Sequence, residues 1–284
     1  MNSLAEAKLR TETLPRVIFN TKKIQDIYKI TKLSIGYGFS GKLYICKNRL
    51  TNEKFVIKTL KKSKRSLNEI KIQLYLKSKY IINIVDIFKD NIFYYLILEY
   101  ANGGDLFDKL NDIELDEYNM LSVLYNISLL IQFIHTKNIV HADLKLENIL
   151  IKDNSLKLCD FGFSKFNNVD AFGHYYTIPY APPEQLVEVN YNNKVDIWAL
   201  GIITYYFYFF KFPFNYTNIS ISCDKEEINH VLTQFKSEKL DFTIRSINPQ
   251  FQTLILQMLN LDQKERPNIT NVIKQIKQII LTNY

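Results

Sequence analysis

Residues 141–148 read His141-Ala142-Asp143-Leu144-Lys145-Leu146-Glu147-Asn148, and the assignment of the chain turns on them. They bring carboxylates, an amine and an amide into one short run. Asp160-Phe161-Gly162 adds a second acidic turn further on. Taken singly, each of these polar residues is a better candidate for a turn or a cap than for chemistry. Their order, joined to two pieces upstream, raises the signal. Gly36-Tyr37-Gly38-Phe39-Ser40-Gly41 is a G-x-G-x-x-G turn, whose missing side chains let backbone amides approach phosphate oxygens. Val56-Ile57-Lys58 follows. A dinucleotide fold would need a helix directly after the glycines and an acidic residue near position 60. A strand pattern follows instead, and Leu60 occupies that point, so the dinucleotide reading fails.

Working outward, residues 28–35, 42–47 and 53–60 alternate as strands and suggest an antiparallel meander. Residues 66–77 predict a helix with Leu67, Ile70, Leu74 and Lys77 near one face, and 81–88 and 93–100 return to strand character. After Gly103-Gly104 the period changes. Segments 117–136, 194–210, 249–260 and 268–281 carry helical apolar periodicity, which predicts an α+β protein in two lobes with the glycine pair at the joint. Residues 198–210, WALGIITYYFYFF, are apolar but fall short of the roughly 20 residues a membrane crossing needs, so a buried core helix is expected.

The ordered pieces resemble the eukaryotic protein kinase family: its glycine loop, its β3 lysine at Lys58, its catalytic loop at 141–148 and its metal-binding motif at 160–162. Pro182-Pro183-Glu184, residues 196–201 and Arg266-Pro267 continue the likeness. The resemblance is to the serine/threonine type, because Lys145 follows Asp143 by two, and the chain also resembles the calmodulin-dependent-kinase-like group. The resemblance implies a two-lobed kinase fold, with a small antiparallel β-sheet N-lobe carrying one main helix and a larger helical C-lobe. It places an extension at 1–27 and a kinase domain at 28–280, divided into lobes at about 28–101 and 102–280.

It also implies roles. Asp143 would accept or orient the substrate hydroxyl's proton, and Lys145 would neutralise charge on the transferred phosphoryl group. Lys58 would hold the α- and β-phosphates of ATP, with Glu69 paired to it. Gly36, Gly38 and Gly41 would cover those phosphates. Ile35, Leu43, Val56, Leu106 and Leu150 would sandwich the adenine, Leu98 would be the gatekeeper, and backbone groups of Glu99 and Ala101 would bind the adenine edge. Asn148 and Asp160 would supply oxygen ligands to Mg2+, two ions in all. Asp105, Glu147 and Thr177 would contact a protein substrate, with the two carboxylates favouring basic residues near its acceptor. Glu184 with Arg266 would form a buried ion pair, and Asp196 would tie down the catalytic-loop backbone. His135, His174 and His230 lack metal-ligand spacing and are read as surface or satisfied core positions; His141 is read as core.

Three departures stand out against that family. Ala142 replaces the usual Arg that receives an activation-loop phosphate, Val56 replaces Ala above the adenine, and Gln73 falls where an apolar residue normally completes a hydrophobic spine. Gly173 occupies the usual modified point, with Tyr175 and Tyr176 close by. These substitutions suggest a rival reading, a binding scaffold without transfer activity, which retention of Lys58, Asp143, Asn148 and Asp160 opposes.

Composition sets the outer bounds. With 47% hydrophobic and 23% charged residues the 284-residue chain is ordinary for a globular protein, which excludes wholesale disorder. Thirty-six Lys and Arg against 29 Asp and Glu give a net charge of +7. The densest basic run, residues 61–65, carries no nucleic-acid motif and is expected to be a solvated loop. Cys46, Cys159 and Cys223 have no metal or disulfide spacing, which fits a reducing compartment. The opening residues have no signal-peptide pattern. The expectation is a monomeric cytoplasmic or nuclear enzyme acting on protein substrates, open to a regulatory protein partner, without nucleic acid or membrane.

Overall fold

The structure is a computed structural model, and it describes residues 14–38, 41–110, 116–167, 169–188, 190–215, 225–244 and 246–283, with the backbone alone for 32–38. The chain forms two compact units, Met1–Gly104 with Leu150–Gly162, and Asp105–Ile149 with Phe163–Tyr284.

The first unit is built on a five-stranded antiparallel sheet in the order β1-β2-β3-β5-β4: β1 Tyr28–Gly38, β2 Gly41–Asn48, β3 Lys54–Lys61, β4 Ile84–Lys89 and β5 Phe93–Glu99. Residues 81–83, expected to open β4, pair elsewhere. Ile81 bridges to Leu158, and the Ile82 amide donates to the Leu158 carbonyl at 2.9 Å, which draws this stretch to the hairpin of β7 Ile149–Lys152 and β8 Ser155–Leu158. The chain thus returns to the first unit after having left it. At the tight start of β2, a methyl group added to Gly41 would lie 1.7 Å from the Thr59 carbonyl oxygen, so no side chain fits there.

Residues 14–27 lie against this unit. Val17 and Phe19 pack on the core formed by Leu60, Ile70, Ile82, Ile84, Ile87, Leu96 and Leu98. Asn20 ties this stretch to β4: its amide donates to the Ile87 carbonyl at 2.7 Å and its side chain to Asp86 at 2.8 Å. A single helical turn, α1 Ile24–Ile27, leads into β1.

The main helix of the unit, α2 Lys64–Tyr75, starts inside the basic run that the sequence suggested was a loop, because Ser63 and Ser66 form a reciprocal capping box there. Its buried face also differs from the apolar one anticipated. Ser66, Glu69, Ile70, Ile72 and Gln73 are buried, Leu67 and Leu74 are half-buried, and Lys77 lies exposed beyond the end. The polar members of that face have partners, Glu69 on Lys58 and Gln73 on the Ile82 carbonyl at 2.7 Å, so their burial carries no unsatisfied group.

The second unit is helical: α3 Leu106–Leu110, α4 Glu117–Thr136, α5 Pro183–Val187, α6 Lys194–Phe209, α7 Lys225–Ser237, α8 Pro249–Met258 and α9 Ile269–Asn283, with a small ladder of β6 Ile139–Val140 against β9 Lys165–Phe166. Helix α6 is buried on nearly every face, which explains its continuous apolar sequence. Gly201 lets it approach α8, where an added methyl would meet Leu259 at 2.8 Å. Among the described residues no helix is long and apolar enough to cross a membrane.

Candidate active site

In the first unit, β3 and α2 bring Lys58 and Glu69 together. The Lys58 ammonium donates to Glu69 at 2.7 Å and to Asp160 at 2.9 Å, and both Lys58 and Glu69 are buried. Burial by itself would lower the Lys58 pKa, but the Asp160 and Glu69 carboxylates overcome that and hold it above the ordinary lysine range. Lys58 is therefore a fixed cation. Asp160 sits at φ +58, in the left-handed region, and its Oδ1 also accepts from the Gly162 amide at 3.2 Å. Arg65 donates to the Gly162 carbonyl at 2.7 Å, so the acidic turn is held from both sides.

The expected adenine residues are partly brought together. Val56, Ala101 and Leu150 pack on the cluster that contains Leu98, and Cys159, which no sequence pattern marked, joins them. Leu43 is half-buried on β2. The side chain of Ile35, and residues 39–40 in the glycine turn, lie outside the described residues; Gly36 and Gly38 are seen only as the end of β1. Glu99 uses its amide on the Asn83 carbonyl at 3.1 Å and its carboxylate on Asn83 at 2.8 Å and Lys157 at 3.0 Å.

In the second unit the run 141–148 forms an ordered turn that ends in a short 3-10 segment, Leu146–Asn148. Asp196, from α6, accepts from the amides of His141 and Ala142, each at 2.9 Å, and from the His135 ring at 2.8 Å. Burial would raise the Asp196 carboxyl, but the contacts with His135 and His141 outweigh it and hold the group below the usual range. His135, expected from the sequence at a surface or satisfied core position, has a buried side chain paired with Asp196; an isolated histidine reveals nothing about a partner 61 residues away.

Asp143 is 8% exposed. Its Oδ2 lies 3.0 Å from the Lys145 ammonium, and its Oδ1 accepts from the Thr177 hydroxyl at 2.5 Å. Lys145 also donates to the Thr177 oxygen at 3.0 Å, which closes a three-membered group of carboxylate, ammonium and alcohol. Asn148 donates its amide nitrogen to the Asp143 carbonyl at 2.8 Å and carboxylate at 3.2 Å, which assigns the amide orientation and keeps Oδ1 as the side chain's acceptor.

Asn148 and Asp160 each present a hard oxygen donor of the kind Mg2+ takes alongside phosphate oxygens. Asn148 belongs to the second unit and Asp160 to the first, and no cluster of three or more His, Cys, Asp or Glu that could hold a metal occurs among the described residues. Asp105 is half-buried, and its Oδ1 caps α3 through the Asp108 amide at 2.9 Å. Glu147 is surface-accessible. Partial desolvation, and then the neighbouring Asp143 and Asp105, push its carboxyl up, while Lys145 counteracts them.

The architectural ion pair is present: Arg266 meets both carboxylate oxygens of Glu184, at 2.6 and 2.9 Å, and its guanidinium lies 4.9 Å from the centre of the Trp198 ring.

Comparison with known proteins adds an independent line. Residues 29–276 match the family described as "Protein kinase domain". The chain is 30% identical over 268 residues to MAP kinase-activated protein kinase 2 of Drosophila melanogaster, covering 89% of this chain and 74% of that protein. It is 30% identical to calcium-dependent protein kinase 5 of Plasmodium falciparum, over 91% of this chain and 46% of that protein. It is also 32% identical to a probable serine/threonine-protein kinase, the KIN1 homolog of Enterocytozoon bieneusi, over 87% of this chain and 41% of that protein. The chain thus spans less than half the length of the latter two relatives.

Proposed function

The chain belongs to the protein kinase family, and from that premise we propose that it moves the γ-phosphate of ATP onto serine and threonine hydroxyls of proteins with basic residues near the acceptor. The observation that carries this reading is the group formed by Asp143, Lys145 and Thr177, in which an alcohol oxygen lies within hydrogen-bond reach of both a buried carboxylate and an ammonium.

A substrate hydroxyl presented to the same pair would hand its proton toward Asp143 as its oxygen forms the new bond to the γ-phosphorus. The bond between that phosphorus and the bridging oxygen breaks, and ADP leaves. Lys145 offsets negative charge on the phosphoryl group in flight. Lys58, held charged by Glu69 and Asp160, grips the α- and β-phosphates, and Gly36, Gly38 and Gly41 allow backbone amides to approach them. Val56, Leu98, Ala101 and Leu150, with Ile35 and Leu43, supply an apolar bed for the adenine, whose edge pairs with backbone groups of Glu99 and Ala101.

Magnesium, when bound, neutralises charge on the phosphate oxygens during transfer. We assign Asn148 and Asp160 as its ligands from this chain, for two ions. Asp105 and Glu147 are the acidic groups that would favour Arg or Lys in the substrate, since charge close to a contact and not the net charge of the chain decides such a preference.

A degenerate peptide library incubated with the protein and Mg-ATP tests this assignment. Phosphate on serine or threonine, enriched in peptides with Arg or Lys two or three places before the acceptor, is expected. Transfer with no basic preference would remove the roles of Asp105 and Glu147. Transfer confined to tyrosine would remove the serine/threonine assignment.

A further inference from the structure

Lys165 is a buried cation that the catalytic chemistry does not use. It is 3% exposed, and its ammonium donates to the Val169 carbonyl at 2.6 Å and to the Tyr191 carbonyl, while lying 4.4 Å from the centre of the Tyr191 ring. One side chain therefore pins both the beginning and the end of the segment that carries Thr177. The surroundings are apolar: Val140, Ala142, Tyr191 and Val195 form a cluster on which Phe163 and Ala171 pack. In such a medium hydrogen bonds to carbonyls strengthen, and an unmade one is costly.

Gln185 fastens the same segment at a second point. It is 3% exposed, and its amide nitrogen donates to the Ala142 carbonyl at 2.7 Å and to the Tyr175 carbonyl at 3.4 Å. Ala142 has φ +65, a left-handed conformation that costs an alanine about 1–2 kcal/mol and persists only where its surroundings over-determine it. Those surroundings are specific. Asp196 takes the Ala142 N–H and Gln185 takes its C=O, so the peptide groups leading into Asp143 are fixed from two elements, α6 and α5.

Resting on the kinase reading above, we propose that Lys165 and Gln185 are positioning residues: Lys165, on the strand paired with β6, ties the two ends of segment 163–191 to each other, Gln185 fastens that segment to the Ala142–Asp143 turn, and the two together set the aim of the Asp143 carboxylate. The latch is made of an ammonium, an amide and main-chain carbonyls, and it needs no added phosphate to close. It also accounts for how Ala142 can stand, strained, beside the residue that handles the proton.

Two variants test it, Lys165→Met and Gln185→Leu, each nearly matched in size and stripped of its donor. The measurements are kcat for a serine peptide, Kd for Mg-ATP and the melting temperature. The latch predicts a fall in kcat of more than tenfold in each, with Kd for Mg-ATP changed less than about twofold in a folded protein, since positioning is lost while nucleotide grip is kept. A folded variant with the parent kcat overturns the proposal. Should a variant not fold, deuterium uptake by the parent chain decides: slow exchange across residues 169–177 in dephosphorylated protein supports the latch, and exchange at the rate of unstructured chain overturns it. Absence of transfer by the parent protein is a separate result, and it counts against the kinase reading itself.

Discussion

Arg266 is 1% exposed, with both Glu184 oxygens, the Asn260 carbonyl and the Trp198 face as neighbours. Truncating it to Met would leave a buried carboxylate with no counter-charge, a change worth about 3–5 kcal/mol. Arg266→Met should therefore show an unfolding free energy from urea titration lowered by that amount, and adding Glu184→Leu should restore much of it. If Arg266→Met unfolds like the parent chain, the pair is structurally idle. Lys165 offers a test with the opposite sense. Its pKa is pushed down to about 8, first by burial, with Asp170 and Asp196 opposing the shift. An unfolded lysine titrates near about 10.4. Between those two values the unfolded chain binds more protons than the folded one, so the Lys165 contribution to stability rises with pH. The urea-derived stability of the parent minus that of Lys165→Met should climb between about pH 8 and pH 10; a flat or falling difference contradicts the burial of that amine. Gln73 is a third instructive residue. Its sequence position suggested a defective spine, but its amide is satisfied by the Ile82 carbonyl, which removes that support for a scaffold without activity.

Among the elements, segment 163–191 is the one with consequences for control. Ala142 offers no cation to a phosphate, Gly173 offers no hydroxyl, and the Tyr175 ring stacks on Phe163 with centres 5.5 Å apart. A phosphate organises a loop through charge-assisted bonds of about 1.5–3 kcal/mol each to basic side chains, and these contacts hold the segment without one. Activity is thus expected to be independent of activation-segment phosphorylation, with control left to a partner or to abundance. Stripping the protein with a broad phosphatase should change its peptide-kinase rate by less than about tenfold, as should Tyr175→Phe with Tyr176→Phe; a larger loss in either would show that phosphate is required. The elements themselves were unevenly legible. Helices α4 and α6 announce themselves by long apolar periodicity. Helix α7 is faint in the sequence: Ile228, Val231, Leu232 and Phe235 carry a helical spacing, but its polar residues dilute a short apolar stripe. The buried face of α2 differs from its apolar periodicity because Glu69 and Gln73 are buried against partners outside the helix, which periodicity cannot see.

At the scale of the molecule, the ordered motifs gave the family and the residues proposed to handle phosphate, since chemistry fixes residue types at set spacings. They could not give the contacts that hold those residues still. The Lys165 bond to Tyr191 spans 26 positions and the Gln185 bond to Ala142 spans 43, and lone polar residues leave no pattern across such distances. Nor does periodicity show that Leu150–Gly162 rejoins the first unit, which follows from long-range contacts such as the pairing of β8 with residues 80–82 and the bond of Asp160 to Lys58. The account's central claim is that Asp143 orients and deprotonates a serine or threonine hydroxyl during transfer from ATP. Its most direct measurement is the rate of radiolabel transfer from γ-labelled Mg-ATP to a serine peptide by the parent chain and by Asp143→Asn, with Mg-ATP affinity measured alongside. Loss of a positioned general base removes about 10²–10⁴-fold in rate, so the variant should lose at least a hundredfold in kcat while its Kd for Mg-ATP stays within about threefold. Turnover by Asp143→Asn at the parent rate would contradict the claim.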